Sequence, residues 1–462
     1  MEEGRQPEKG KNASLIPKLL LDKRELNVLY VGFCFFIIGI PATAIVSVQT
    51  LMLSEDSSNV HNLNGFICFT VNFLCLSATF PFASFILAKI GSVGGIIVGA
   101  FGDLLYNVAF YFDTPWIVYG LCAVSGVTHA ILRTGQGVYL MENSRPHTLQ
   151  RDNTLFWWMQ LASQLIGQII LLLLLRATKI IDHDTRILIL DVTVAINLFG
   201  FLLALFFSRP SVDPDLQKAP APVELRQEIR KTLEVFMDSR MLLLIPSSIF
   251  TGLLKGFSQS VYPSAVGFTL SLTEYSASLT ALSGIYIGAG LIMGGAIQFV
   301  RRWEDCFSLE RTFFCSVGTL SSLAAFALAY ANLPDNSVFG DTEDLGPYTN
   351  SVTIALMCSF MIGVGLMYIM NNVPALICLM FQNNPAHSVA AFNFTRFVAE
   401  GIYYYYCTIM SLSTQLLLLG SSAVTGLLLF IPVDYKYTLS TRPSSKKDDK
   451  TPNSNDVILE KY

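Results

Sequence analysis

Of 462 residues, 52% are hydrophobic and only 14% are charged, which is too little polar surface to coat a soluble globule, where about a quarter of residues carry charge. The formal net charge of −4 says little, but the placement of the thirty Lys and Arg sets an orientation. There is no phosphate-binding Gly-rich loop, no nucleophile–base set and no CxxC or Cys/His spacing, so the sequence reads as neither an enzyme nor a metal or cofactor protein, and no nucleic-acid partner is expected.

Residues 1–26 form a polar, basic arm with no cleavable signal pattern. Twelve apolar runs follow, each long enough at about 1.5 Å per residue to cross a hydrocarbon core of roughly 30 Å. They are predicted over 27–50, 65–87, 93–112, 116–141, 154–175 and 187–207, and then over 241–262, 279–300, 312–331, 353–378, 388–410 and 415–432. The predicted organisation is an N-terminal six-helix bundle (27–207), a cytoplasmic linker (208–240), a C-terminal six-helix bundle (241–432) and a disordered tail (433–462).

Twenty-four of the Lys and Arg fall on the side of the N-terminus, three (Arg176, Lys179, Arg186) in the opposite loops and three within spans, so the positive-inside rule places both termini in the cytoplasm. The linker opens with Pro210, Pro214, Pro220 and Pro222. It continues with Leu225, Ile229, Leu233, Phe236 and Met237 at helical spacing, giving an amphipathic helix that lies on the inner membrane surface or packs beneath the bundle. A faint echo pairs Asn143, His147, Asn153 and Gln160 with Asn383, His387, Asn393 and Glu400, each 240 residues later, and suggests duplicated halves.

The run Arg133-Thr134-Gly135-Gln136-Gly137, the following loop into Phe156-Trp157, and the stretch Leu282 to Gly288 with Gly294-Gly295 resemble the uncoordinated-93-like branch of the major facilitator superfamily. The resemblance covers nearly the whole chain. It implies an all-α polytopic membrane protein with twelve transmembrane helices in two six-helix bundles, the major facilitator fold, and a cavity lined by the first, fourth, seventh and tenth spans. For function it implies either regulation of channels and trafficking of receptors or the solute transport of the wider superfamily. Carriers of the superfamily use an Asp-Arg latch between the second and third helices. Here the aligned Ala88-Lys89-Ile90-Gly91-Ser92 keeps a cation and a Gly but has no Asp.

Ionisable groups at mid-membrane cost several kcal/mol or more and normally face a cavity or a partner. Lys255, beside Gly252 and Gly256 in the seventh span, reads as an anion-binding or proton-competing cation or as half of an ion pair with an acid such as Glu400. His129, Arg133 and Gln136 share one face of the fourth span, where Arg133 meets a cavity or snorkels to the headgroups. Asn371 and Asn372, just before Pro374, are candidates for cation or polar-substrate contact at freed carbonyls. Arg396 and Glu400, four apart, are predicted to pair structurally. The Gln160, Gln164 and Gln168 ladder reads as interhelical bonding, Asp103 and Asp191 as packing contacts within the first bundle, and Tyr403 to Tyr406 as an interfacial or packing cluster. Two functions follow. The first, favoured by the resemblance and the incomplete latch, is an ancillary protein that binds lipids and regulates an ion channel or another membrane protein. The second is a secondary carrier of a small, anionic solute.

Overall fold

The computed structural model of the chain describes residues 22–54, 63–145, 148–175, 179–208, 225–301, 310–381 and 385–441. The arm up to residue 21, the tail beyond 441, the Pro-rich start of the linker, and His147 and Asn383 of the internal echo lie outside them. The described residues form α1 (Lys23–Ser54), α2 (Gly65–Ala109), α3 (Pro115–Asn143), α4 (Leu149–Leu175), α5 (His183–Leu205), α6 (Leu225–Phe236) and α7 (Ser239–Gly256). After a π-helical turn (Phe257–Val261) come α8 (Tyr262–Phe268), α9 (Ser276–Arg301), α10 (Glu310–Asn332), α11 (Val352–Met380), α12 (Pro385–Cys407) and α13 (Leu412–Thr441).

Ten of these segments are long and apolar enough to cross a membrane, with α7, the π turn and α8 counting as one. Two details separate this count from the predicted runs. The 45-residue α2 holds both the second and the third run, broken at Gly91 with φ 76° and ψ 167°, a conformation closed to side chains with a Cβ. Along α3, the second arm of α2 runs antiparallel: Gly99 abuts Leu132 and Gly102 abuts Thr128. The first arm runs parallel, with Gly126 against Asn72, and Leu76 packed with Ala130. The two arms therefore fold back on each other at Gly91, and the predicted loop over 88–92 contracts to a kink. The other detail is α12, whose Asn393, Arg396, Glu400 and four successive tyrosines hold down its hydropathy.

Helices α1 to α5 pack mainly on one another, as do α7 to α13, and the two sets meet where α12 lies on α2, α4 on α9, and α1 on the π turn and α8. Small residues allow the closest approaches: a Cβ on Gly290 would sit 2.2 Å from the Phe360 carbonyl oxygen, and one on Gly363 2.2 Å from that of Ile287. The α2–α12 seam is aromatic. Phe69 stacks on Tyr404 at 4.7 Å, Phe73 bridges Tyr404 and Phe397, and Phe80 lies 5.5 Å from Phe397.

The amphipathic α6 packs beneath α12 and α2, burying Val235 and setting Phe236 against Phe394, while Leu233 and Met237 stay exposed. Helix α13 continues to Thr441, nine residues past the predicted end of the last run at 432. Its extension is fixed by Asp434, fully buried, which accepts from Arg311 Nε at 2.9 Å and Thr312 Oγ1 at 2.6 Å.

Candidate functional site

Four charged side chains from three helices converge near the α2–α12 seam. Arg133 comes from α3, Lys255 from the last turn of α7, and Arg396 and Glu400 from successive turns of α12. Lys255 meets the α12 pair because α7 and α12 are pressed close. A Cβ on Gly252 would sit 2.3 Å from the Arg396 carbonyl oxygen, and one on Gly256 3.4 Å from Glu400 Cγ, so the two glycines bring α7 onto α12 directly beside Lys255. Lys255 lies within electrostatic reach of Glu400, Arg396 and Arg133.

The bonding within this group is sparse. Glu400 is 1% exposed, yet neither carboxylate oxygen has a hydrogen-bond partner among the described residues, and Arg396 Nε has none either. The predicted Arg396–Glu400 pair is therefore not made as a hydrogen bond. Instead the Arg396 guanidinium lies 4.2 Å from the centroid of the Phe397 ring. A buried, unbonded carboxylate is costly and is ordinarily bonded or paired in a structure built for stability alone.

Arg133 does not snorkel. Its Nε donates to His129 Nε2 at 3.1 Å, which leaves the neutral imidazole proton on Nδ1 to be donated to Asp103 Oδ1 at 3.0 Å. Asp103 is held in turn from α5, where Asn197 donates to its carbonyl oxygen at 3.2 Å. This chain of contacts aims Arg133 from the periphery of the first helix set toward the centre. Gln136, one turn further along, is buried within α3.

On its other side Lys255 opens onto a cavity of about 40 Å³, lined also by Thr43, Gln164, Ser258, Gln259 and Gly284. That volume accommodates water molecules and small ions, not a bulky solute. The wall at 257–261 is the π turn, which widens ahead of Pro263, a residue that has no N–H to bond the carbonyl four residues back and would clash with it. The glutamine ladder divides by role. Gln168 bonds to Ser47 and the Thr43 carbonyl, tying α4 to α1, and Gln164 faces the cavity.

Asn371 and Asn372 stand apart from this centre. Asn371 donates to Gln298 Oε1 and Gln298 donates to Asn372 Oδ1, both at 3.1 Å, while Asn372 Nδ2 also donates to the Tyr368 carbonyl, an amide ladder between α9 and α11. Tyr111 donates to Asp191 at 2.6 Å within the first helix set. Tyr403 and Tyr404 are buried packing residues, whereas Tyr405 and Tyr406 are exposed. Sequence reading did not single out Ser258, Gln259 or the π turn, although Pro263, at the end of the seventh apolar run, was a usable signal. Nor did it find Ser92, whose hydroxyl donates to Glu142 Oε2 at 2.6 Å, a polar tie at the position of the incomplete latch.

Against known proteins, the profile described as "Ion channel regulatory protein UNC-93" matches residues 56–431. The chain is 26% identical over 430 residues to UNC93-like protein MFSD11 of Xenopus laevis, covering 89% of this chain and 96% of that one. It is 22% identical over 354 residues to UNC93-like protein 3 of Arabidopsis thaliana, covering 73% and 72%. Its fold is similar to that of a crystallised POT family transporter in complex with 5-aminolevulinic acid, with a TM-score of 0.65 at 11% identity over 88% of this chain and 96% of the other. A peptide transporter POT in complex with sulfate gives 0.63 at 11% identity, covering 88% and 93%. The fold is thus like that of major facilitator transporters, and the chain is a multi-pass membrane protein that belongs to the UNC-93 family.

Proposed function

We propose that this UNC-93 family member is a secondary carrier that binds a small anionic solute between Arg133, Lys255 and Arg396. In this reading the two arms of α2 and the less apolar α12 bring the crossings to twelve, six in each half (27–207 and 241–432), with both termini in the cytoplasm. The observation that carries it is the group of three cations beside one unbonded carboxylate, placed where the two helix sets meet. Removing water from such charges costs several kcal/mol apiece, and a packing interface alone gives no reason to keep them. Helix ends and side chains converging on a polar site between two halves that can rock is the arrangement alternating access needs.

The test is uptake into proteoliposomes of small carboxylates, sulfate and phosphate under proton and sodium gradients, with Lys255→Ala as the comparison. Gradient-dependent accumulation, reduced at least tenfold in the variant, is the expected result. Absence of flux for every solute, together with a channel that co-purifies in fixed stoichiometry, would overturn it.

The second reading, regulation of a channel, is favoured by the family's description and by one surface. The loop 333–351 is held in shape by Leu270 and Thr342 and by Asn336 donating to Asp344, yet it exposes Phe339, Leu345 and Tyr348 amid Asp335, Asp341, Glu343 and Asp344. A membrane-protein partner with a basic, apolar outer face fits it, and a carrier can hold such a partner as well.

A further inference from the structure

We infer that Glu400 is the proton site of this carrier, and that its protonation is what releases the central cations to bind the anion. The inference rests on the anionic-solute reading above and specifies how the same site is coupled. Glu400 and an incoming anion need the same positive charges. Lys255 faces Glu400 from α7, and Arg396 reaches it from one turn earlier on α12, so an ionised Glu400 already neutralises part of what the anion requires. Because neither oxygen is bonded to either cation, no fixed pair has to be broken when the charge on Glu400 changes. An ionised carboxylate about 6 Å from a bound anion, in an interior of effective dielectric near 20, lowers anion affinity by about a hundredfold. Neutralising it restores that factor.

The surroundings single out Glu400 as the switching group. Its own helix adds Tyr404, which also stacks on the α2 rings of Phe69 and Phe73. Helix α11 carries no Asp, Glu, Lys, Arg or His, and α6, which packs on α12, keeps Arg226, Arg230, Lys231 and Glu234 at its exposed face. Of the other acids near the cluster, Asp103 is within electrostatic reach of Arg133 but is hydrogen-bonded to it through His129, and it is not among the charges that act on Lys255. The proton comes from the water on the side to which the site is open, adds to a carboxylate oxygen of Glu400, and leaves to water on the opposite side with the anion. Each cycle therefore moves one proton and one anion in the same direction.

The experiment is a thermal-unfolding titration of the purified full-length protein with sulfate, which stays doubly charged between pH 5.5 and 8, at constant ionic strength set with chloride. The wild type is expected to bind sulfate at least tenfold more tightly at pH 5.5 than at pH 8. Glu400→Gln, which fixes the neutral form, is expected to show the tight value at both, and Lys255→Met to show no sulfate response at either. His129→Gln, which keeps an acceptor for Arg133, is expected to retain the wild-type pH dependence. Sulfate binding that Lys255→Met abolishes but that is equal at the two pH values would overturn the coupling while leaving the anion site standing. A pH dependence removed by His129→Gln and kept by Glu400→Gln would also overturn it. No response of the wild type to sulfate at either pH would overturn the anion site and the coupling together.

Discussion

Glu400 and Asp434 are equally buried acids in the same half of the molecule, and they are bonded in opposite ways. Asp434, fully buried on α13, receives Arg311 Nε and Thr312 Oγ1 and locks the end of the last helix to the start of α10. Glu400, 1% exposed on α12, has cations on two sides and a hydrogen bond to none of them. The contrast separates two uses of a charge in a membrane protein. A charge that stabilises is bonded in full, and a charge that works is left with capacity to spare.

That contrast can be broken by substitution. The largest effect is expected at the bonded site: Asp434→Ala leaves Arg311 facing a buried gap and should cost about 3 kcal/mol, read as a clear fall in unfolding temperature. Close behind comes the backbone contact of α9 with α11, where Gly363→Val places a branched side chain against the Ile287 carbonyl and is expected to cost about 2 kcal/mol or more by the same assay. Glu400→Gln is expected to leave the unfolding temperature no lower than that of the wild type, because it removes a desolvated charge that holds no hydrogen bond. A fall as large as that of Asp434→Ala would put Glu400 in the structural class.

A pH-dependent effect belongs to the cap of α7. Asp238 accepts from the Arg240 backbone N–H at 2.9 Å, and its carboxylate takes two further bonds from the same guanidinium, which holds its pKa below the usual carboxylate range. A carboxyl lowered in the folded state contributes stability above its unfolded pKa and loses it as pH falls through the folded one. Asp238→Ala is therefore expected to cost about 1 kcal/mol at pH 6 and at pH 8 alike, with the difference from wild type shrinking below about pH 4.

Much of the fold was legible because apolar run length and basic-residue placement are one-dimensional signals. The helical kink at Gly91 was not, since a five-residue polar-looking stretch reads as a loop unless the conformation of its glycine is known. In the site, Lys255, Arg133 and Glu400 stood out as charges in apolar runs, but their grouping depends on which helices touch. The four-residue spacing of Arg396 and Glu400 suggested a pair; the packing of α7 at Gly252 and Gly256 instead places Lys255 beside them, and the guanidinium turns to Phe397. Asn371 and Asn372 had an unseen neighbour for a related reason: each is hydrogen-bonded to Gln298, 73 to 74 residues away, which no local pattern reveals.

The claim that the central charges serve binding rather than folding is tested most directly by comparing the unfolding temperatures of Lys255→Met and Arg311→Met, measured side by side with and without sulfate. Lys255→Met is expected to unfold at or above the wild-type temperature and no longer to respond to sulfate, while Arg311→Met unfolds earlier and keeps its response. Lys255→Met unfolding as early as Arg311→Met, with sulfate still raising its unfolding temperature, would contradict it.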